Sequence, residues 1–253
     1  MRYQTKRKVR RVVLIAVLAA IVLGLGGWLI YHFSTPEVPL EERVMTLTAD
    51  SAQRVTALDD GLLLSSGLTL SRIDLAGKLL WAAEMPAADM NITGNGELVA
   101  LWNETTALLL SDETGMSLLR QESEAPIQGL TCGKEHYAIT TQEDSQRRVR
   151  VYKLDGTQID DLLFPYQDVL GVGFYSDNLS QLWTLSLDSH ATLPITHLKT
   201  YQPGKSTTGN ITVNGEILYL AQPKDKSFMT VGTRNIQFFS ATGERQFEKS
   251  IYG

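Results

Sequence analysis

Leu70-Ser-Arg-Ile-Asp-Leu-Ala-Gly-Lys-Leu-Leu-Trp81 is the stretch on which the fold turns. It opens as a short apolar strand and stops at Asp74. It then passes through a tight turn at Gly77 and leaves as a second strand ending in Trp81. Asp and Gly belong in such a turn, because an Asp side chain bonds nearby backbone N–H groups and glycine accepts a positive φ. The same unit returns at Ala107-Leu-Leu-Leu-Ser-Asp-Glu-Thr-Gly-Met-Ser-Leu-Leu119 and at Val149-Arg-Val-Tyr-Lys-Leu-Asp-Gly-Thr-Gln-Ile159. It returns again at Asn235-Ile-Gln-Phe-Phe-Ser-Ala-Thr-Gly-Glu-Arg-Gln-Phe247, and a weaker copy surrounds Leu185-Ser-Leu-Asp-Ser-His190. The turn glycines are Gly77, Gly115, Gly156 and Gly243, separated by 38, 41 and 87 residues; the last interval leaves room for the weak copy.

A second kind of hairpin lies between these. It is carried by Asp59-Asp-Gly-Leu, Gly94-Asn-Gly-Glu, Gly133-Lys-Glu-His and Asn214-Gly-Glu-Ile. Two hairpins in roughly 40 residues make four strands, and four-stranded units of that period are propeller blades. Elsewhere beyond residue 43 the pattern is period two, as in Arg148-Val-Arg-Val-Tyr-Lys-Leu154, with no helical periodicity of useful length. The expected fold is therefore all-β, a β-propeller of about five four-stranded blades over residues 44–253. Two readings of the ring stay open. It closes at five blades with Val44-Met-Thr-Leu-Thr48 as the closing strand, or the natural ring is longer than the given chain.

The segment Ile73-Asp-Leu-Ala-Gly-Lys-Leu-Leu-Trp81 resembles the repeat of the PQQ-like, quinoprotein-type β-propellers, in its Asp, its Gly-Lys and its Trp. The whole layout is similar to that of membrane-anchored, extracytoplasmic members of that family. The resemblance implies an envelope protein. One relative of this shape is the propeller lipoprotein of the outer-membrane β-barrel assembly machine, a scaffold. Trp81 has no counterpart in the later copies, where Leu119, Leu162 or Phe247 stands near that point.

The N-terminus sets the expected location. Residues 1–11 hold six bases and no acid, and residues 12–33 run 22 positions without a charge. As a helix this run is about 33 Å long, enough to cross a hydrocarbon core of about 30 Å. Six bases on one flank and Glu37, Glu41 and Glu42 on the other put the tail in the cytoplasm and the rest of the chain outside. A cleaved signal fits less well, because its apolar region is shorter and ends in small residues. Ala16, Ala20 and Gly24 share one face, which suits weak pairing of two such helices. Residues 34–43, with two prolines and three acids, read as a stalk. Four Asn-x-Ser/Thr sequons, beginning at Asn91, Asn103, Asn178 and Asn210, carry no meaning if the organism is bacterial.

Charge and motif content narrow the function. Without the six N-terminal bases the chain has 17 Lys and Arg against 28 Asp and Glu, a net charge of −11. That balance excludes a bulk phosphate or nucleic-acid binder. The lone Cys132 forbids an intramolecular disulfide and reads as a core residue. A quinoprotein dehydrogenase, as the resemblance implies, would need adjacent cysteines and calcium-binding acids, so no catalytic residue, cofactor or metal is expected. His190 and His197 lack ligand-like spacing, and Trp81, Trp102 and Trp183 read as blade-core residues. The leading function is a protein-binding scaffold at the cell envelope. A small-ligand or glycan sensor is the alternative and an enzyme ranks third. In propellers of this kind one face carries the loops entering each blade and the loops between its second and third strands. That face is expected to present Trp102, Asn103, Glu104, Glu122, Glu124, Glu143, Asp144, Phe164, Tyr166, Asp168 and Tyr201. Mixed aromatic and acidic residues suit a partner surface.

The orientation is directly testable. A cysteine placed at Ser34 should react with an impermeant thiol reagent in intact cells, and one at Thr5 only after lysis. Labelling at Thr5 in intact cells would reverse the topology.

Overall fold

The computed structural model describes residues 53–252, apart from 145, 176–179, 206, 225–226 and 241. The basic tail, the apolar segment 12–33, the stalk and Val44–Thr48 lie outside the described residues.

The described chain is built from five antiparallel sheets of four strands, each formed by four consecutive strands in chain order. The first holds β1 (Arg54–Leu58), β2 (Gly61–Ser66), β3 (Thr69–Asp74) and β4 (Leu79–Glu84). The second holds β5 (Asn91–Gly94), β6 (Leu98–Trp102), β7 (Thr106–Ser111) and β8 (Ser117–Glu122). The third holds β9 (Ile127–Cys132), β10 (His136–Glu143), β11 (Gln146–Lys153) and β12 (Gln158–Phe164). The fourth holds β13 (Asp168–Phe174), β14 (Leu182–Asp188), β15 (Ile195–Tyr201) and β16 (Thr207–Asn214). The fifth holds β17 (Leu218–Lys224), β18 (Ser227–Gly232), β19 (Asn235–Ser240) and β20 (Arg245–Ser250). The first strands of consecutive sheets, β1, β5, β9, β13 and β17, lie side by side, and each fourth strand is outermost.

Burial follows from this stacking. A sheet covered on both faces has no polar side, and its middle strands read as unbroken apolar runs. Leu98–Leu101 in β6, Thr106–Leu110 in β7 and Tyr137–Thr141 in β10 are buried at every position. The first and fifth sheets instead keep the alternation of a face half in water: β2 buries Gly61, Leu63 and Ser65, and β18 buries Phe228, Thr230 and Gly232. The buried apolar residues fall into four clusters, one between each pair of consecutive sheets. Leu63, Leu70 and Trp81 meet Val99, Leu101 and Leu108 between the first two. Tyr175, Leu185 and Leu198 meet Leu218, Phe228 and Phe239 between the last two. Among the described residues no buried cluster joins the fifth sheet to the first.

The repeated glycine turn acts across these junctions. Gly115, at φ +70°, lies under the Trp81 indole of the preceding sheet, and a Cβ there would come within 2.6 Å of that ring. A Cβ at Gly243 would come within 3.3 Å of Ile211, while one at Gly156 would only touch Leu119, at 3.6 Å. Trp81 also donates its indole N–H to the Asp112 carbonyl at 2.6 Å. Beside it the buried Arg72 side chain bonds Asp112 through Nε at 3.1 Å, its own neighbour's carbonyl (Ile73) at 3.0 Å, and Asp60. Burial disfavours the charged form of Arg72, but the two aspartates outweigh it and raise its pKa.

Two features of the repeat differ from expectation. The weak copy at Leu185–His190 is not a third-to-fourth-strand turn but the connection from β14 to β15. Asp188 there accepts the His190 N–H at 3.0 Å, which gives the local Asp-turn signal without the repeat's place in the sheet. The equivalent turn of the fourth sheet lies at Gln202–Lys205, with Gly204 at φ +73°. Likewise Asn214-Gly-Glu-Ile217 is not a hairpin within a sheet. It is the crossing from β16 to β17.

Gly115→Ala should lower stability by about 1–3 kcal/mol, since it combines a left-handed backbone with a clash against a packed indole. Arg72→Met should cost more, about 3–5 kcal/mol, because it strands the buried Asp112 carboxylate. Thermal or urea unfolding measures both, and a neutral Gly115→Ala would refute the interlock.

Candidate functional site

All strands run up and down between two faces. One, the turn face, carries the first-to-second and third-to-fourth strand turns of each sheet. The other, the crossover face, carries the second-to-third strand turns and the crossings to the next sheet.

The crossover face receives most of the sequence-derived candidates. Trp102 ends β6, partly buried against the cluster between the second and third sheets. Glu104 sits in the next turn, which Asn103 shapes by accepting the Thr105 and Thr106 N–H groups at 3.1 and 2.9 Å. Glu122 ends β8, where the Thr106 hydroxyl at 2.9 Å and then Arg120 at 3.1 Å hold its pKa down. Tyr166 stands in the crossing from β12 to β13 at 72% exposure, with φ +60°. Its ring meets His190 edge-on, with centroids 6.1 Å apart. Asp168 begins β13, exposed.

Two candidates fall elsewhere. Phe164 is 4% exposed and belongs to the cluster between the third and fourth sheets, so it supports the face from beneath. Tyr201 ends β15 at the turn face, half-buried against that same cluster. The third-to-fourth-strand turn of the fourth sheet lies at Gln202–Lys205, so Tyr201 stands at the turn face, opposite the expected one.

Between the third and fourth sheets, a cavity of about 310 Å³ reaches the crossover-face half of the inner strands. Trp102, Gly129, Thr140, Arg147 and Val169–Val172 line it. Arg147 had not been singled out. Its signal was present in the period of β11: positions 147, 149 and 151 share one phase, and Val149 and Val151 are fully buried in the cluster against the fourth sheet. An arginine in that apolar phase is out of place by pattern. Arg148 and Arg150, in the other phase, both pair with Glu143 and Asp161.

A second cavity, also about 310 Å³, lies at the turn-face end of the inner strands, lined by Leu58, Asp59, Gly94, Asn95, Cys132 and Phe174. Burial pushes the Cys132 thiol up to about 12, so it stays protonated and unreactive at neutral pH. It is a packed core residue. No group of three His, Cys, Asp or Glu side chains converges as a metal site among the described residues.

No protein-family model matches the chain, and no curated protein sequence matches it. Solved structures do match in shape. Hsv2 of Kluyveromyces lactis superimposes with a TM-score of 0.55 at 11% identity, over 82% of this chain and 77% of that one. KlAtg21, in complex with the coiled coil of AgAtg16, gives 0.56 at 12%, over 82% and 73%. BamB of Moraxella catarrhalis gives 0.53 at 12%, over 82% of this chain and 66% of its own. Together with the five four-stranded sheets, these likenesses establish a β-propeller fold.

One titrating group bears on stability. His136 has its Nδ1 buried without a partner, and burial above all lowers its pKa. The folded state therefore binds its proton less readily than the unfolded chain. The stability this gives is present above the unfolded pKa of about 6.5 and is lost as pH falls through it. Melting temperature should drop from about pH 7.5 to about pH 5.5, and His136→Gln should flatten the drop. An unchanged slope would show that His136 does not couple to folding.

Proposed function

We propose that this chain is a protein-binding platform of the cell envelope: a β-propeller held by its N-terminal apolar helix on the outer side of the membrane, binding other envelope proteins through the crossover face. The observation that carries the reading is Tyr166. A non-glycine residue at φ +60° is costly, and persists where surrounding structure holds it. Here it holds a large aromatic ring 72% exposed, braced on His190 and flanked by Asp168. A rigid, amphipathic ring that loses little entropy on binding is the usual anchor of an interface. Trp102 and the acidic residues Glu104, Glu122, Glu124, Glu143 and Asp144 extend that surface across the second and third sheets.

The fold class supports the reading by example. KlAtg21 is a propeller of the same shape in complex with a coiled coil.

Photo-cross-linking residues placed at positions 102, 104 and 166 of the full chain in living cells test this. They should trap one or a few defined envelope proteins. Probes at 201 and at the turn-face glycines 77 and 156 should not. Trapping from the turn face alone would move the surface, and trapping from neither face would end the platform reading.

A further inference from the structure

Arg147 is set apart from every other described arginine. Arg72 is held by Asp60 and Asp112, Arg148 and Arg150 by Glu143 and Asp161, and Arg120 and Arg245 by nearby glutamates. Arg54 and Arg234 reach the backbone carbonyls of Met90 and Gly215. Arg147 alone among the described arginines has no side-chain hydrogen bond or ion pair. It is half-buried, its strand phase is that of the buried Val149 and Val151, and it lines the cavity between the third and fourth sheets. A guanidinium offers five N–H donors in a flat fork, and leaving them unmet in a partly dried site is unfavourable. The excess of acids in the domain makes the lack of a partner more notable, since twice in the neighbouring phase of the same strand a carboxylate is supplied.

The rest of the cavity defines what would fit. Trp102 provides an aromatic wall. Gly129 and Gly171 leave the backbone of the inner strands bare of side chains, and Val169, Leu170 and Val172 supply apolar surface, with Leu170 40% exposed. One cationic fork beside an aromatic and aliphatic wall matches a carboxylate next to a large apolar side chain. Beyond the N-terminal bases the chain carries a net charge of −11, which repels any ligand carrying several negative charges. That argues against a polyanion and for a single carboxylate in a segment otherwise neutral or basic.

We infer that the Arg147–Trp102 cavity is the specificity pocket of the crossover face, and that it takes one acidic side chain, or a chain-terminal carboxylate, adjacent to a large apolar residue in a neutral or basic segment of the partner protein. The inference rests on the platform reading and adds to it the chemistry of the partner. The carboxylate accepts two parallel N–H bonds from the Arg147 fork, and the apolar neighbour lies against Trp102.

A peptide library displayed on phage and selected against the full chain in detergent micelles tests it. Selected peptides should share an Asp, Glu or free C-terminus beside a large apolar residue, with few further acids. Binding should weaken by roughly tenfold to a hundredfold in Arg147→Gln, the scale of one charge-assisted pair, and by less in Arg147→Lys, which keeps charge but loses the fork. Selection against Arg147→Glu should replace the acid with Lys or Arg, a switch that a merely structural role would not produce. Equal melting temperatures for the wild type and Arg147→Lys keep the comparison free of misfolding. Peptides that bind but lack an acid and ignore Arg147→Gln, while losing affinity in Tyr166→Ala, would overturn the pocket and leave the platform standing. Peptides that bind only to the turn face, or the selection of none, would count against the platform itself.

Discussion

A twisted sheet of four short strands has two faces and too little area to bury either alone, so every sheet in this chain depends on contact with its neighbour. That sheet-to-sheet contact governs the rest. It determines which strands are apolar throughout and which alternate. It demands a glycine where the third-to-fourth-strand turn of one sheet slides under the outer strand of the sheet before. The Trp81 indole over Gly115 shows the device most fully, since the same indole is anchored by the Asp112 carbonyl one turn away. Leu119 over Gly156 is a looser version, where an added Cβ would make only ordinary van der Waals contact, at 3.6 Å. The loss of tryptophan from later copies therefore changes how tightly neighbouring sheets interlock without changing the stacking itself.

Charged groups buried at these junctions are satisfied with care. Arg72 gathers two carboxylates and a carbonyl at the first junction. Glu216, 4% exposed at the last, accepts the backbone N–H groups of Arg234 and Asn235 at 2.8 Å each and the side-chain amides of Asn235 and Gln237. A carboxylate so supplied with donors has its oxygens met away from water, and it ties the crossing from β16 to β17 onto the β18–β19 turn. The crossing is thus fixed by side-chain chemistry, where a hairpin would be fixed by its backbone ladder. That is why the Asn214-Gly-Glu-Ile stretch looks like a hairpin in sequence and serves a different connection.

Much of the architecture was legible because the repeat writes itself locally. Asp74, Asp155, Gly77, Gly115, Gly156 and Gly243 are turn residues whose side chains or φ values set the chain reversal within four or five positions, and such signals survive without tertiary context. The fourth sheet was not legible for the same reason. Its connections at 175–181 and 189–194 are long, its true turn glycine, Gly204, follows a proline and no Asp, and Asp188 offers a turn signal at the wrong joint. Tyr201 stands at the turn face, because successive connections alternate between faces. The exposed candidates Glu104, Tyr166 and Asp168 were placed correctly on the face by counting strands. What counting strands could not give was the left-handed backbone of Tyr166 or the missing partner of Arg147. Both depend on which groups sit opposite in space.

These two residues break local rules that the chain keeps elsewhere. The other positive-φ positions among the described residues are glycines, apart from Asp144 in a tight turn where a short polar side chain tolerates it. The other described arginines have partners. Each exception is individually unfavourable to folding, and both sit on or beneath the crossover face, around the junction of the third and fourth sheets. Departures from consistency concentrate where a protein does something besides fold. The turn face offers a contrast: its described positive-φ positions, Gly77, Gly96, Gly115, Gly156, Gly204 and Gly243, are all glycines, and its one buried thiol is inert. The crossover face thus keeps, beside the well-met Glu216 network, an exposed ring and an unpaired cation that the folding of the sheets does not require.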